Sequence, residues 1–101
     1  MTKKYLHGKG KINKIFPDDD KGTHHQKFSV QLKNNKSVLV IHNIGVCRRI
    51  PDLKIGDEIE FYGVYQWNRF GGLVHWTHGG ESLVDTGHKA GWIKYNGMTY
   101  Q

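Results

Sequence analysis

The sequence predicts an all-β fold: a small five-stranded OB-like barrel, with a short helical turn between its third and fourth strands and a C-terminal hairpin extension. Alanine is nearly absent, with Ala90 the single instance, while 13 glycines accompany many β-branched and aromatic residues. That mixture suits strands better than helices. Apolar residues also recur at every second position, and turn formers interrupt them at short intervals. A chain of 101 residues reads as one domain. The barrel is expected over 8–78, and an irregular segment plus hairpin over 79–101.

The first strand is expected over 8–16, alternating through Ile12 and ending in Ile15 and Phe16. PDDDKG at 17–22 is a turn by composition. Over 24–33, Phe28, Val30 and Leu32 share one face, with His24 in phase toward the core. Asn34-Asn35 turns the chain into a third strand over 36–42, where His42 is in phase with Val38 and Val40. The helical turn falls within 43–56, built on Ile44, Val46 and Ile50 around Cys47 and bounded by Pro51 and Gly56. A fourth strand over 57–66 places Ile59, Phe61, Gly63 and Tyr65 together, and Gly63 suggests a bulge or bend. LVHWTH at 73–78 is the fifth strand. The Asn96-Gly97 signal then sets a terminal hairpin. Five strands with a helical turn after the third match the OB barrel better than an SH3-like one.

Fifteen Lys+Arg against nine Asp+Glu give a formal charge of +6, which attracts polyanions without specifying a fold. One cysteine, Cys47, excludes an intrachain disulfide and a C-x-x-C zinc motif. No apolar run reaches the roughly 18–20 residues of a membrane helix. MTKKYLHGKG lacks an apolar signal-peptide core, so the chain as written reads as cytoplasmic, or as exported if a signal was removed.

Candidate chemistry centres on the histidines. His24, His42 and His75 near strand ends could converge at a barrel mouth, where imidazoles act as general acids or bases or hold a divalent metal with an open position. His75 and His78 are three apart, so a straight strand points them to opposite faces. Asn43 and Asn68 flank the same mouth and could bind oxygens, or could simply form turns. Arg48-Arg49 could grip a phosphate bidentately, or could form a solvated helical face, and Arg49 is the candidate site residue of the two. His25, Trp67, Arg69, Trp76, His78, His88 and Tyr62 complete a candidate binding set, the rings offering stacking surfaces and Arg69 a contact at a hairpin tip.

The segments HHQKF at 24–28, HN at 42–43, Arg49, GDEIEFYGVYQWN at 56–68, GGLVHWTH at 71–78, His88, GW at 91–92 and YQ at 100–101 carry a resemblance. Together they resemble a family of small bacterial proteins catalogued as a domain of unknown function, with Y-x-W-N and G-G-x-x-H-W-T-H motifs. The resemblance implies a compact β-barrel-like domain whose relatives often bear signal peptides, and it implies no activity. Relatives tend to have Asp-Pro after HWTH, where this chain has Gly79-Gly80-Glu81-Ser82.

Three functions are compatible with these residues. The first is binding of single-stranded nucleic acid or another anionic polymer, with Lys/Arg supplying charge and rings supplying stacking. The second is a phosphodiesterase or nuclease using the histidines, with or without a divalent metal. The third is an exported protein that binds an envelope glycan or polyanion.

Overall fold

The computed structural model describes residues 4–18, 24–44, 48–69, 71–75, 77 and 91–101. Among them are seven strands and no helix: β1 (Lys4–Ile15), β2 (His25–Leu32), β3 (Ser37–Asn43), β4 (Glu58–Gln66), β5 (Leu73–His75), β6 (Trp92–Tyr95) and β7 (Met98–Tyr100). No described helix is long and apolar enough to cross a membrane. The sheet order is β1-β2-β3-β5-β4-β6-β7, and β1 also pairs with β4. The first five strands thus close into a barrel. β3 and β5 run parallel, and the other barrel pairs are antiparallel.

The expected C-terminal hairpin is present. β6 pairs with β4 at residues 60–62, below the stretch that pairs with β5, and β7 pairs with β6. Asn96 and Gly97 both have positive φ, 52° and 81°, as a two-residue primed hairpin turn requires. Tyr95 fastens the hairpin to the barrel: its hydroxyl lies within hydrogen-bond distance of the Asp52 carbonyl, at 2.9 Å, and the Asp57 carboxylate. Burial, reinforced by the Asp57 contact, pushes the Tyr95 phenol up to about 12.

Alternation builds the core as expected. Phe28 and Val30 enter from β2, Val38 and Val40 from β3, Ile59 and Phe61 from β4, and Val74 from β5. Ile12, Ile50 and Ile93 complete the fully buried aliphatic set. Tyr65 is half-buried and packs against the core edge.

Four expectations need correction. β1 begins at Lys4, earlier than expected, because its first half pairs with β4 before any residue pairs with β2. Described residues 44 and 48–57 form turns and irregular chain in place of a helical turn. Ile50 precedes Pro51, which disfavours helical backbone there, and the Gln26 side chain takes both backbone groups of Ile50. Gln26 Oε1 accepts from Ile50 N–H at 3.0 Å, while its Nε2 donates to Ile50 O at 2.8 Å. His24 is exposed, although its carbonyl still accepts from Ile44 N–H. It lies beyond the last interior layer, where Gln26 takes the buried place. The bulge, finally, falls in β1 between Ile12 and Lys14.

Gly63 has a different task. A Cβ there would sit 2.6 Å from the His75 carbonyl oxygen and 2.8 Å from Val74 Cγ1, so β4 and β5 can approach only because it has no side chain. Cys47, Trp76, His78, Glu81 and His88 lie outside the described residues. Gly63→Ala should destabilise the domain by about 1–3 kcal/mol through overpacking. Urea unfolding measures this, and an unchanged midpoint would contradict the packing described.

Candidate functional site

The interior ends in a polar layer. His42 and Thr77 are fully buried and Gln26 is 4% exposed. His42 Nε2 lies 3.0 Å from the Arg48 carbonyl, and Nδ1 lies 3.2 Å from Thr77 Oγ1. A carbonyl can only accept, so Nε2 carries a hydrogen. Thr77 Oγ1 is also 3.1 Å from the Ile41 carbonyl. Its single proton serves either that oxygen or a neutral His42 Nδ1. His42 thus links β3 to the 48–50 segment and to Thr77.

The histidines of the candidate site occupy different surroundings. His24 is exposed beyond β2, His42 is interior, and His75 is half-buried on the outward side of β5, next to interior Val74. No three His, Cys, Asp or Glu side chains among the described residues are grouped as a metal ion would need. His25 and Asn43 are register partners on the outside of β2 and β3. Arg49 pairs with Asp18 on the surface. Asn68 Oδ1 accepts from Gly72 N–H at 2.9 Å, which fixes the β4–β5 loop. That loop holds Trp67, 74% exposed, and exposed Arg69. The Arg48 guanidinium lies 5.0 Å from the Tyr100 ring centre.

A second constellation covers the outside of β1, β4 and β6. Strand alternation points Tyr5, His7, Lys9 and Lys11 outward from β1. The register sets His7 beside Tyr62, Tyr62 beside Trp92, Lys9 beside Glu60, and Glu60 beside Lys94. Tyr5 and Tyr62 stack at 5.5 Å with 11° between planes. Tyr62 and Trp92 continue the stack at 6.2 Å and 20°. His7 tilts against Trp92 at 5.5 Å, and Lys94 Nζ lies 5.2 Å from the indole centre. The His7 Nε2–Glu60 Oε2 distance is 2.5 Å. This hydrogen bond, helped by the charges of His7, Lys94 and Lys9, holds the Glu60 carboxyl below its ordinary value against a smaller opposing effect of burial.

Lysines continue from this face around the barrel. A cleft of about 380 Å³ is lined by Lys9, Lys11, Lys33 and Leu32, with Glu58 its one acidic residue. A cleft of about 260 Å³ shares Leu32 and adds Lys4 and Lys36. Tyr5 belongs both to the ring stack and to the smaller cleft.

Comparison with known families gives a match over residues 3–101 to the family described as "Protein of unknown function (DUF3465)". The chain belongs to that family. No curated protein and no solved structure matches it. Membership of a family of unknown function is as the resemblance implies, and the DUF3465 domain of this chain is a small closed β-barrel with an added hairpin.

Sequence reasoning singled out Tyr62 in this DUF3465 domain but missed Tyr5, His7, Lys9, Trp92 and Lys94 as its neighbours. The signal was there: Tyr5, His7, Lys9 and Lys11 alternate. Starting the first strand at Gly8 hid its upper half.

The lowered Glu60 value fixes a pH dependence. Ionised Glu60 favours the folded state, fully so above the ordinary carboxylate value, and this contribution fades as pH falls through the lowered one. Wild type and Glu60→Gln should differ in urea stability near neutral pH and converge in acid. A difference independent of pH would contradict the His7–Glu60 coupling.

Proposed function

We propose that this domain binds single-stranded nucleic acid, with the phosphate chain following the lysines of β1 and the β2–β3 turn and bases reaching the Tyr5–Tyr62–Trp92 stack. One observation carries the reading. A band of five lysines on β1 and the β2–β3 turn, Lys4, Lys9, Lys11, Lys33 and Lys36, adjoins the stacked rings of Tyr5, Tyr62 and Trp92, with Tyr5 both in the stack and in the lining of the smaller cleft. Phosphate neutralisation supplies affinity that falls with salt. Aromatic side chains supply sequence-tolerant contacts to bases. Neither component alone would favour a single strand over other polyanions, but their adjacency does.

A small closed five-stranded barrel is compatible with an OB-like architecture, and OB barrels bind oligonucleotides and oligosaccharides. Such analogy raises the expectation without locating a site. OB barrels use the face of strands 2 and 3 with two flanking loops. Here that face presents His25, Lys27, Ser29 and Gln31 from β2 and no ring from β3. The β4–β5 loop does offer Trp67 and Arg69. The richer aromatic surface is on β1, β4 and β6, so we assign the bases there.

Fluorescence anisotropy of a labelled single-stranded oligonucleotide at two salt concentrations tests this. Binding should weaken with salt, and Lys9→Ala and Lys11→Ala should each reduce the slope of log affinity against log salt by about 0.7. Tyr62→Ala or Trp92→Ala should cost about 1–3 kcal/mol without changing that slope. No rise in anisotropy at either salt would overturn the reading, and a decay with time would point to cleavage instead.

A further inference from the structure

We infer that the smaller cleft, between the start of β1 and the β2–β3 turn, is a pocket for one nucleotide unit, with a nucleobase on its apolar wall and a phosphate at its lysine rim. The inference deepens the proposed function and rests on it for the class of ligand.

The pocket is a consequence of how the barrel closes. β1 pairs with β4 from Lys4 but with β2 only from Gly10, because β2 ends at Leu32. The wall between Lys4–Leu6 and the 33–36 turn therefore has no ladder across it, and the gap is a cleft of about 260 Å³. That is just below the roughly 300–1,000 Å³ of sites for drug-sized ligands. It suits one ring system with its charged group at the mouth.

The lining matches a nucleotide in three respects. Leu6, Leu32 and Tyr65 pack against the core yet keep part of their surface open, giving the apolar side a base needs. Tyr65 is positioned in advance: its hydroxyl donates to the Gly71 carbonyl at 3.4 Å, and Gly72 leaves room for its ring, since a Cβ there would lie 2.4 Å from the phenol oxygen. A ring wall fixed before binding needs less ordering on association.

Polar groups at the opposite side can donate. Asn34 Oδ1 accepts from Lys36 N–H at 3.0 Å, which turns the side-chain amide so that its NH₂ hydrogens can donate to a ligand. Ser37 Oγ accepts from Asn13 Nδ2 at 3.0 Å, so its hydroxyl hydrogen is directed elsewhere. Donors of this kind meet the carbonyls and ring nitrogens of a base edge. Lys4 and Lys36 bring two positive charges, and the cleft lining contains no carboxylate. An anion is the complementary ligand. A free mononucleotide and the terminal nucleotide of a strand share this chemistry.

Amide chemical shifts of ¹⁵N-labelled protein test the pocket with four probes: thymidine monophosphate, thymidine, inorganic phosphate and an oligothymidylate with or without a 5′-phosphate. Thymidine monophosphate should shift amides at 4–6, 32–38, 65 and 71. Thymidine or phosphate alone should bind about tenfold more weakly, having lost either the charged hydrogen bonds or the ring contact. Lys4→Glu with Lys36→Glu, both exposed, should weaken the monophosphate by at least about tenfold. Equal responses to the free monophosphate and the phosphorylated strand support the pocket from either source, and a preference for one identifies it. Shifts confined to Tyr62 and Trp92, phosphate as effective as the monophosphate, or no response would each overturn it. Oligonucleotide binding with no monophosphate response removes the pocket and leaves the interface reading. A monophosphate response without oligonucleotide binding does the reverse.

Discussion

β1 is hydrogen-bonded along both edges, to β4 from Lys4 to Lys11 and to β2 from Gly10 to Ile15. Only Gly10 and Lys11 appear in both registers, so the strand passes from one partner to the other within two residues. A Cβ on Gly10 would lie 2.0 Å from the Gln31 carbonyl oxygen. The absence of a side chain there allows β2 to come in against a strand already held by β4. The bulge after Ile12 adds the local bend and twist that closure needs. The gap beside Leu32 follows from the same geometry, as does the outward row of Tyr5, His7, Lys9 and Lys11. The barrel's means of closing and its candidate ligand surfaces therefore share one strand.

The two ends of the barrel are finished differently. At the His42 end, buried polar groups are joined by hydrogen bonds within the chain, and no described buried side-chain polar atom lacks a partner. Leaving any of these unmatched would cost about 1–3 kcal/mol, which explains why Gln26 is bonded at both ends of its amide. At the Lys4 end, half-buried apolar side chains meet lysines and solvent. A sealed polar layer serves cohesion, whereas an open apolar wall with cations suits an amphipathic anion.

The barrel was legible because period-two alternation in β2, β3 and β4 places Phe28, Val30, Val38, Val40, Ile59 and Phe61 inward without any knowledge of pairing. Asn96-Gly97 was equally plain, since its turn type depends on local conformation. The segment at 48–51 was not, because Gln26 completes it from 24 residues away. The His24 error has a related cause: phase gives direction within a strand but not where the interior ends. The ring stack escaped for another reason. Trp92 and Tyr62 are 30 positions apart in the chain and meet only through the β4–β6 register.

The central claim is that bases lie on the outer face of β1, β4 and β6. Photo-crosslinking with oligonucleotides carrying 5-iodouracil, followed by mass spectrometry of the crosslinked peptides, tests it most directly. The account predicts adducts at Tyr5, Tyr62 or Trp92, suppressed by raised salt. Adducts confined to the 24–31 strand or the 48–54 segment, or none at low salt, would contradict it.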